Sequence, residues 1–191
     1  MRRAFTLIEL LIVVAIIAIL AAIAVPNFLA AQVRSKVSRT HADLRTLATA
    51  LETYRVDNNS YPRAELFMGL GQRMVPLSTP IAYITSQPLD PFYKQAPNTL
   101  TNLGGMEPNY GYASGNIYFG PTNQFSAVQY TATIYSLAGR GPDSDLFFGG
   151  YCMSHPQARR DGANLRGAYD PTNGTVSAGD IFRLSAGTLG Q

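Results

Sequence analysis

The longest hydrophobic run of the chain is Phe5–Val25, which carries a single charge, Glu9. As a helix, these 21 residues would extend about 30 Å, the thickness of the hydrocarbon core of a bilayer. The run is too long for an ordinary signal-peptide core, and no small-residue cleavage site with a polar sequence after it follows. Arg2 and Arg3 precede the run, so the positive-inside rule keeps the N-terminus in the cytoplasm. The pattern therefore predicts one membrane-spanning helix, with the rest of the chain exported.

A second, amphipathic pattern continues beyond Pro26. Apolar residues recur at helical spacing, at Val33, Val37, Leu44, Leu47, Leu51 and Tyr54. The polar residues between them are expected to face water: Arg34, Lys36, Arg39, Asp43 and Glu52. The sequence thus predicts one long helix with a kink at Pro26. Its first half, residues 5–25, lies in the membrane, and its second half, residues 26–57, packs on a domain.

From residue 58 the composition changes to turns and short β-prone segments. The two asparagines and the proline of VDNNSYP predict the end of the helix. The stretch from Tyr61 to Pro108 is rich in proline and predicts long loops. Short β-prone segments follow at Asn116–Phe119, Tyr130–Leu137 and Ile181–Leu184. We therefore predict an α+β domain over residues 58–191, in which a small antiparallel sheet with long loops lies against the helix.

Charge and cysteine content exclude several classes of function. The net charge is +3, and without Arg2, Arg3 and Glu9 the chain keeps 13 basic and 11 acidic residues. Since these form no basic stripe, we expect no nucleic-acid partner. Cys152 is the single cysteine, so no intrachain disulfide forms, and it lacks the partners of a catalytic or metal-binding thiol. No GxSxG, HExxH, P-loop or Rossmann pattern occurs, so we predict that the chain is not an enzyme.

Glu9 has two interpretations, because a carboxylate within the hydrocarbon is costly and usually finds a partner. In the first, Glu9 lies near the cytoplasmic face and reaches the lipid headgroups. In the second, a positive charge meets it. A free amine made by cleavage before Phe5, in the same chain or in a staggered neighbour, would supply that charge.

The segment MRRA-FTLIELLIVVAIIAILAAIAVPNFLAAQ resembles the processing and assembly segment of type IV pilins and of the pseudopilins of type II secretion. The resemblance implies a leader, residues 1–4, that a prepilin peptidase removes between Ala4 and Phe5, followed by N-methylation of Phe5. It also implies a role for Glu9 in assembly and a helix-kinking role for Pro26. The family normally has glycine before the cut, where this chain has Ala4.

The remainder of the chain resembles the major pseudopilin through YP, QPLDPF, NYGY and YSLAGRGPDSD. This likeness implies the pilin fold. Two segments, Ala64–Ser78 and Phe147–Ala168, do not match a compact pseudopilin and are interpreted as insertions.

Acidic residues cluster late in the chain, in GPDSD and YDPTNGTVSAGD. On the residues alone, these carboxylates satisfy backbone amides in turns, or they bind calcium, which takes six to eight oxygen ligands. The resemblance favours calcium, because major pseudopilins hold this ion in a late acidic loop. The expected ligands are Asp143, Asp145, Asp180, Asp170, Ser144 and the carbonyl of Leu137.

The expected function is that of a structural subunit in the pseudopilus filament of a type II secretion system. Its expected partners are copies of itself, other pseudopilins, the prepilin peptidase and the assembly platform of the inner membrane. It would span the inner membrane once, with the C-terminal domain in the periplasm. Two alternatives are a type IV pilus pilin for adhesion, motility or DNA uptake, and an anchored enzyme or binding protein.

Overall fold

The computed structural model describes the long helix and several stretches of the domain. The described residues are 5–64, 68–94, 107–114, 135–144, 169, 172 and 179–185. Within them lie an α-helix, α1 (Leu7–Asn58), a one-turn helix, α2 (Leu70–Arg73), and a 3₁₀ turn (Val75–Leu77). Three strands follow: β1 (Gly111–Ser114), β2 (Tyr135–Gly139) and β3 (Ile181–Leu184).

The three strands form one antiparallel sheet in the order β1-β2-β3, laid against α1. Leu137, in the middle of the central strand, pairs with Tyr112 on one side and with Arg183 on the other. This arrangement confirms the predicted α+β fold, in which a long helix packs on a small antiparallel sheet. The strand predicted at Ile181–Leu184 is also confirmed.

Of the other two predicted strands, one overlaps β2 and the other is not tested. β2 ends at Gly139, two residues beyond the predicted end, and residues 130–134 lie outside the described part of the chain. The strand predicted at 116–119 also lies outside the described residues. β1 was not predicted; it lies in NYGYAS, where a glycine and two small residues weaken the β-prone pattern.

α1 runs without interruption through Pro26, as predicted. It ends at Asn58, followed by Asn59 in the left-handed conformation at φ 55°. Asparagine tolerates this conformation better than most residues, so VDNNSYP ends the helix for the reason that the sequence suggested. Whether Pro26 bends the helix stays a prediction.

The second half of α1 supplies one side of the hydrophobic core. Its buried residues follow helical spacing, at Val37, Thr40, Leu44, Leu47, Ala48, Ala50 and Leu51. Asp43, which was predicted to face water, is only partly exposed. Its side chain is 22% exposed and accepts a hydrogen bond from the buried Tyr110 hydroxyl at 2.8 Å. The tyrosine hydroxyl needs a partner on burial, and the helix carries the nearest carboxylate.

The segment Ala64–Ser78, interpreted as an insertion, contributes to the core where it is described. Leu70, Met74 and Leu77 are fully buried. Arg73 is 2% exposed and donates to the carbonyl of Tyr112 in β1 at 3.1 Å. The second interpreted insertion, residues 147–168, lies outside the described residues.

Candidate functional site

The first half of α1 is exposed on all sides. Every side chain from residue 5 to residue 29 is exposed, including Phe5 at 75%. In the described part of the chain, α1 is the one helix long and apolar enough to cross a membrane, with a mean hydropathy of 3.1 over its most apolar 18 residues. A large apolar surface is unfavourable in water, so we expect lipid or neighbouring helices to cover this segment. Of the two residues at the predicted cleavage site, Phe5 is the first described residue, and Ala4 lies outside the described part of the chain.

Glu9 belongs to a capping box at the start of α1. The Thr6 hydroxyl accepts from the amide of Glu9 at 3.3 Å. In return, Oε2 of Glu9 accepts from the amide and the hydroxyl of Thr6 at 2.9 and 2.7 Å. Each residue thereby satisfies a backbone amide that the first turn of a helix leaves without a partner. Sequence reasoning missed this role, although the pattern T-x-x-E was there to be read.

The acidic turn, Gly141–Ser144, and the start of β3 come together, as the calcium hypothesis requires. Oδ2 of Asp143 accepts from the amide of Gly179 at 3.0 Å, and Gly179 precedes the buried Asp180. Within the turn, the amide of Ser144 donates to the carbonyl of Gly141 at 2.9 Å. A Cβ at Gly141 would collide with the carbonyl oxygen of Gly179. Glycine at position 141 therefore permits this close approach.

Of the remaining predicted ligands, Ser144 belongs to the acidic turn itself. Asp145 and Asp170 lie outside the described residues, and Leu137 is buried in the middle of β2. Among the described residues, no group of three or more histidine, cysteine, aspartate or glutamate side chains is placed to hold a metal ion. Asp143 accepts a hydrogen bond from a backbone amide, as expected if its carboxylate stabilises a turn. The carboxylates of Asp143 and Asp180 offer oxygen atoms as metal ligands, and calcium prefers oxygen ligands.

A buried ion pair between Asp90 and Arg140 lies directly beside the acidic turn. The carboxylate oxygen and the guanidinium nitrogen are 3.5 Å apart, and the two side chains are 0% and 2% exposed. Burial raises the pKa of Asp90, although Arg140 and two backbone amides act in the opposite direction. Sequence reasoning missed this pair, because its members lie 50 positions apart.

A groove of about 780 Å³ runs between α1 and β3. Arg34, His41 and Arg45 line its helical side, and Tyr169 and Phe182 lie opposite. Burial lowers the pKa of His41, and the charge of Arg45 adds to this effect. The groove is therefore cationic on the helical side through its two arginines, while its imidazole stays neutral at pH 7.

The comparisons with known proteins cover the long helix and the loops that follow it. Residues 1–25 match the model of the prokaryotic N-terminal methylation motif, and residues 27–98 match that of the type II secretion system (T2SS), protein G. No solved structure matches the chain at a significant level.

Among curated proteins, the chain is similar to pilins and to a secretion protein. It is 41% identical over 85 residues to the type IV wide pilus major component PilA4 of Thermus thermophilus (44% of this chain, 65% of the relative). It is 54% identical over 60 residues to the type IV major pilin protein PilA of Myxococcus xanthus (31% and 27%). It is 32% identical over 99 residues to the type II secretion system core protein G of Escherichia coli (48% and 67%).

The chain thus spans less than two thirds of the two pilins, and two thirds of the Escherichia coli protein. The exposed apolar segment of α1 agrees with the match to the methylation motif. The chain belongs to the type IV pilin-like family, close to its pseudopilins.

Proposed function

We propose that this protein is a structural subunit of the pseudopilus filament of a type II secretion system. One observation carries the proposal: residues 7–29 form a helix that is exposed on all sides and apolar except for Glu9 and Asn27, and this helix continues into the core of a folded domain. Such a helix is stable in lipid, and it is equally stable among copies of itself, because both surroundings are apolar. Matches to protein G relatives from several species support the secretion system over other filaments.

The proposal includes the maturation of the N-terminus. The prepilin peptidase would cut between Ala4 and Phe5, and Phe5 would be N-methylated. The new amine would then lie four residues from Glu9, whose carboxylate the structure places at the first turn of the helix. Glu9 would pair with the amine of a neighbouring subunit on the inner-membrane assembly platform and set the register of the filament. The domain would stay in the periplasm and perform no catalysis.

The first test is mass spectrometry of the N-terminal peptide from membrane-extracted protein. We expect a peptide that begins with N-methylated Phe5. The matched control is the variant Ala4→Gly, which carries the residue usual in the family. If both proteins begin at Met1 in a host with a working peptidase, the chain is a plain anchored protein and the proposal is wrong.

The second test measures assembly. Glu9→Gln keeps the size of the side chain but removes its charge, and we expect the protein to remain in the membrane without forming filaments. Glu52→Gln, on the exposed face of the same helix, is the control and should assemble normally. Filament yield after shearing, compared with the membrane-bound amount, separates failed assembly from failed insertion. Equal yields from the two variants would contradict the role of Glu9.

The second candidate function is that of a type IV pilus pilin. The similarity to PilA4 and PilA favours it. A deletion strain distinguishes the two functions, since loss of a pseudopilus subunit leaves secreted proteins in the periplasm. Loss of a pilin instead abolishes surface pili, with secretion intact.

We also propose that calcium binds at the acidic turn, held by Asp143 and Asp180. Asp145, Asp170, Ser144 and the carbonyl of Leu137 are the further ligands expected from the resemblance. The contact between the turn and Gly179 supports this proposal, because it brings two carboxylate-bearing segments together.

Calorimetric titration of the full-length protein in detergent tests this proposal. We expect Asp143→Asn and Asp180→Asn each to weaken calcium binding at least about tenfold, because each removes one charge from the cation site. Glu52→Gln should bind as the wild type does. Absence of calcium binding by the folded wild type would refute the proposal.

A further inference from the structure

One buried carboxylate holds the main chain at the point where the acidic turn leaves the sheet. Oδ2 of Asp90 accepts from the backbone amide of Arg140 at 2.7 Å. Oδ1 of the same carboxylate accepts from the amide of Phe92 at 2.9 Å. Arg140 lies between the last residue of β2, Gly139, and the first residue of the acidic turn, Gly141. Asp90 therefore acts on the backbone of the turn itself.

The side chain of Arg140 connects the same point to two other loops. Its guanidinium donates to the carbonyl of Glu107 at 3.0 Å and lies 5.0 Å from the centre of the Tyr93 ring. The amide of Asp90 in turn donates to the carbonyl of Pro108 at 2.8 Å. Three segments that are distant in sequence are thus fastened around one buried ion pair.

A buried ion pair is weak evidence for stability, because the loss of hydration offsets much of the attraction between the charges. The pair instead fixes the positions of the groups that it bonds. Its hydrogen bonds are directional, and the carboxylate bonds two backbone amides rather than the side chain of Arg140 alone. Arg140 directly precedes Gly141, and the contact between Gly141 and Gly179 leaves no room for a Cβ at position 141.

We propose that Asp90 is a positioning residue for the acidic turn. By holding the amide of Arg140, its carboxylate sets the place of Gly141 against Gly179 and hence the spacing between Asp143 and Asp180. That spacing matters for a cation, since calcium requires oxygens at about 2.3–2.6 Å. The functional meaning rests on the proposed calcium site, whereas the positioning itself needs no cation.

Hydrogen exchange on the calcium-free full-length protein in detergent tests the positioning. The amides of Ser144 and Gly179 report on the turn, because they bond to Gly141 and to Asp143. In Asp90→Asn we expect both to exchange about tenfold faster, with the amides of the β1–β2 ladder unchanged. Asp90→Glu keeps the charge but moves the carboxylate by one methylene. It should loosen the turn in the same way, and it serves if the asparagine variant does not fold.

Two further variants separate positioning from general destabilisation. Arg140→Lys retains the backbone amide that Asp90 holds, so Ser144 and Gly179 should exchange nearly as in the wild type. Glu52→Gln weakens a contact with the Tyr61 hydroxyl near the opposite end of β2 and should leave the turn unaffected. Unchanged turn amides in both Asp90 variants would overturn the proposal, as would equal loosening of the turn by Glu52→Gln.

A second experiment measures calcium affinity. Terbium bound at the site luminesces when nearby tyrosines are excited, and calcium lowers this signal by displacing the terbium. We expect Asp90→Asn to bind calcium about tenfold more weakly, since its ligands are no longer held at the correct spacing. If the wild type binds no calcium while Asp90→Asn loosens the turn, the positioning stands and the calcium proposal fails. If both proteins bind calcium equally, Asp90 does not set the spacing of the calcium ligands; that part of the proposal is refuted and the calcium site stands.

Discussion

Gly139 marks a close approach between the sheet and the long helix. A Cβ built on Gly139 would lie 2.6 Å from Cγ2 of Thr40 and 2.9 Å from Cε1 of Tyr110. Thr40 and Tyr110 are both fully buried, so neither side chain can move aside into solvent. Gly139→Ala must therefore push the helix away from the end of β2, or displace the Tyr110 ring.

The expected loss of stability follows from these contacts. An extra methyl in a well-packed core costs about 1–3 kcal/mol. Alanine restricts the unfolded chain more than glycine, which returns about 0.4–1 kcal/mol. The net loss should be about 1–2 kcal/mol, or roughly a 2–8 °C lower melting temperature for a domain of this size.

Thermal unfolding of the full-length protein in detergent measures this loss, followed by the near-ultraviolet circular dichroism of its tyrosines. Thr40→Ser removes the methyl that lies nearest to the new Cβ. The double variant Thr40→Ser, Gly139→Ala should recover about half of the loss, because the contact with Tyr110 remains. A single variant Gly139→Ala within about 0.5 kcal/mol of the wild type would refute the helix–sheet packing described here.

Three further perturbations test separate contacts. Tyr112→Phe leaves the buried carbonyl of Pro62 without its hydrogen bond and should lower the free energy of unfolding by about 1–3 kcal/mol in denaturant titrations; an unchanged midpoint would contradict the contact. His41 has a lowered pKa in the folded protein, so the unfolded chain binds the proton more readily and stability should fall as the pH drops below 6.5. His41→Gln should lessen this acid-induced loss, and identical pH profiles would argue against it. Thr6→Ala removes the capping box at Glu9 and should speed exchange of the first helical amides several-fold, while Thr6→Ser should retain their protection.

The helix could be predicted because its signals are local. The spacing of Val37, Leu44, Leu47 and Leu51 predicts a buried face, and these four side chains are buried in the structure. The end at Asn58 follows from the turn tendency of two asparagines. Neither inference needs knowledge of any residue more than a few positions away.

The domain was harder to predict because its decisive contacts are distant in sequence. Tyr110 reaches Asp43 across 67 positions, and Asp90 reaches Arg140 across 50. No periodicity indicates such pairs. Strand β1 was not predicted for a related reason. Its residues form a strand by pairing with β2, whereas their own composition favours turns.

The acidic turn could be predicted in part from the sequence. The sequence pointed to Asp143 and Asp180, and the structure places their segments together through Gly179. Glycine at position 141 allows this approach, but only the fold shows that it faces Gly179. The dependence of the turn on Asp90 could not have been read from the motif.

The division of α1 between two environments explains how one helix serves two roles. Its side chains are exposed up to residue 29, and burial against the domain begins in part at Val33 and fully at Val37. The domain core therefore draws nothing from the segment that would lie in the membrane. Moving that segment from lipid to a bundle of neighbouring helices would break no contact within the described core. It follows that the domain can keep one structure before and after assembly, while the apolar half of the helix changes its surroundings.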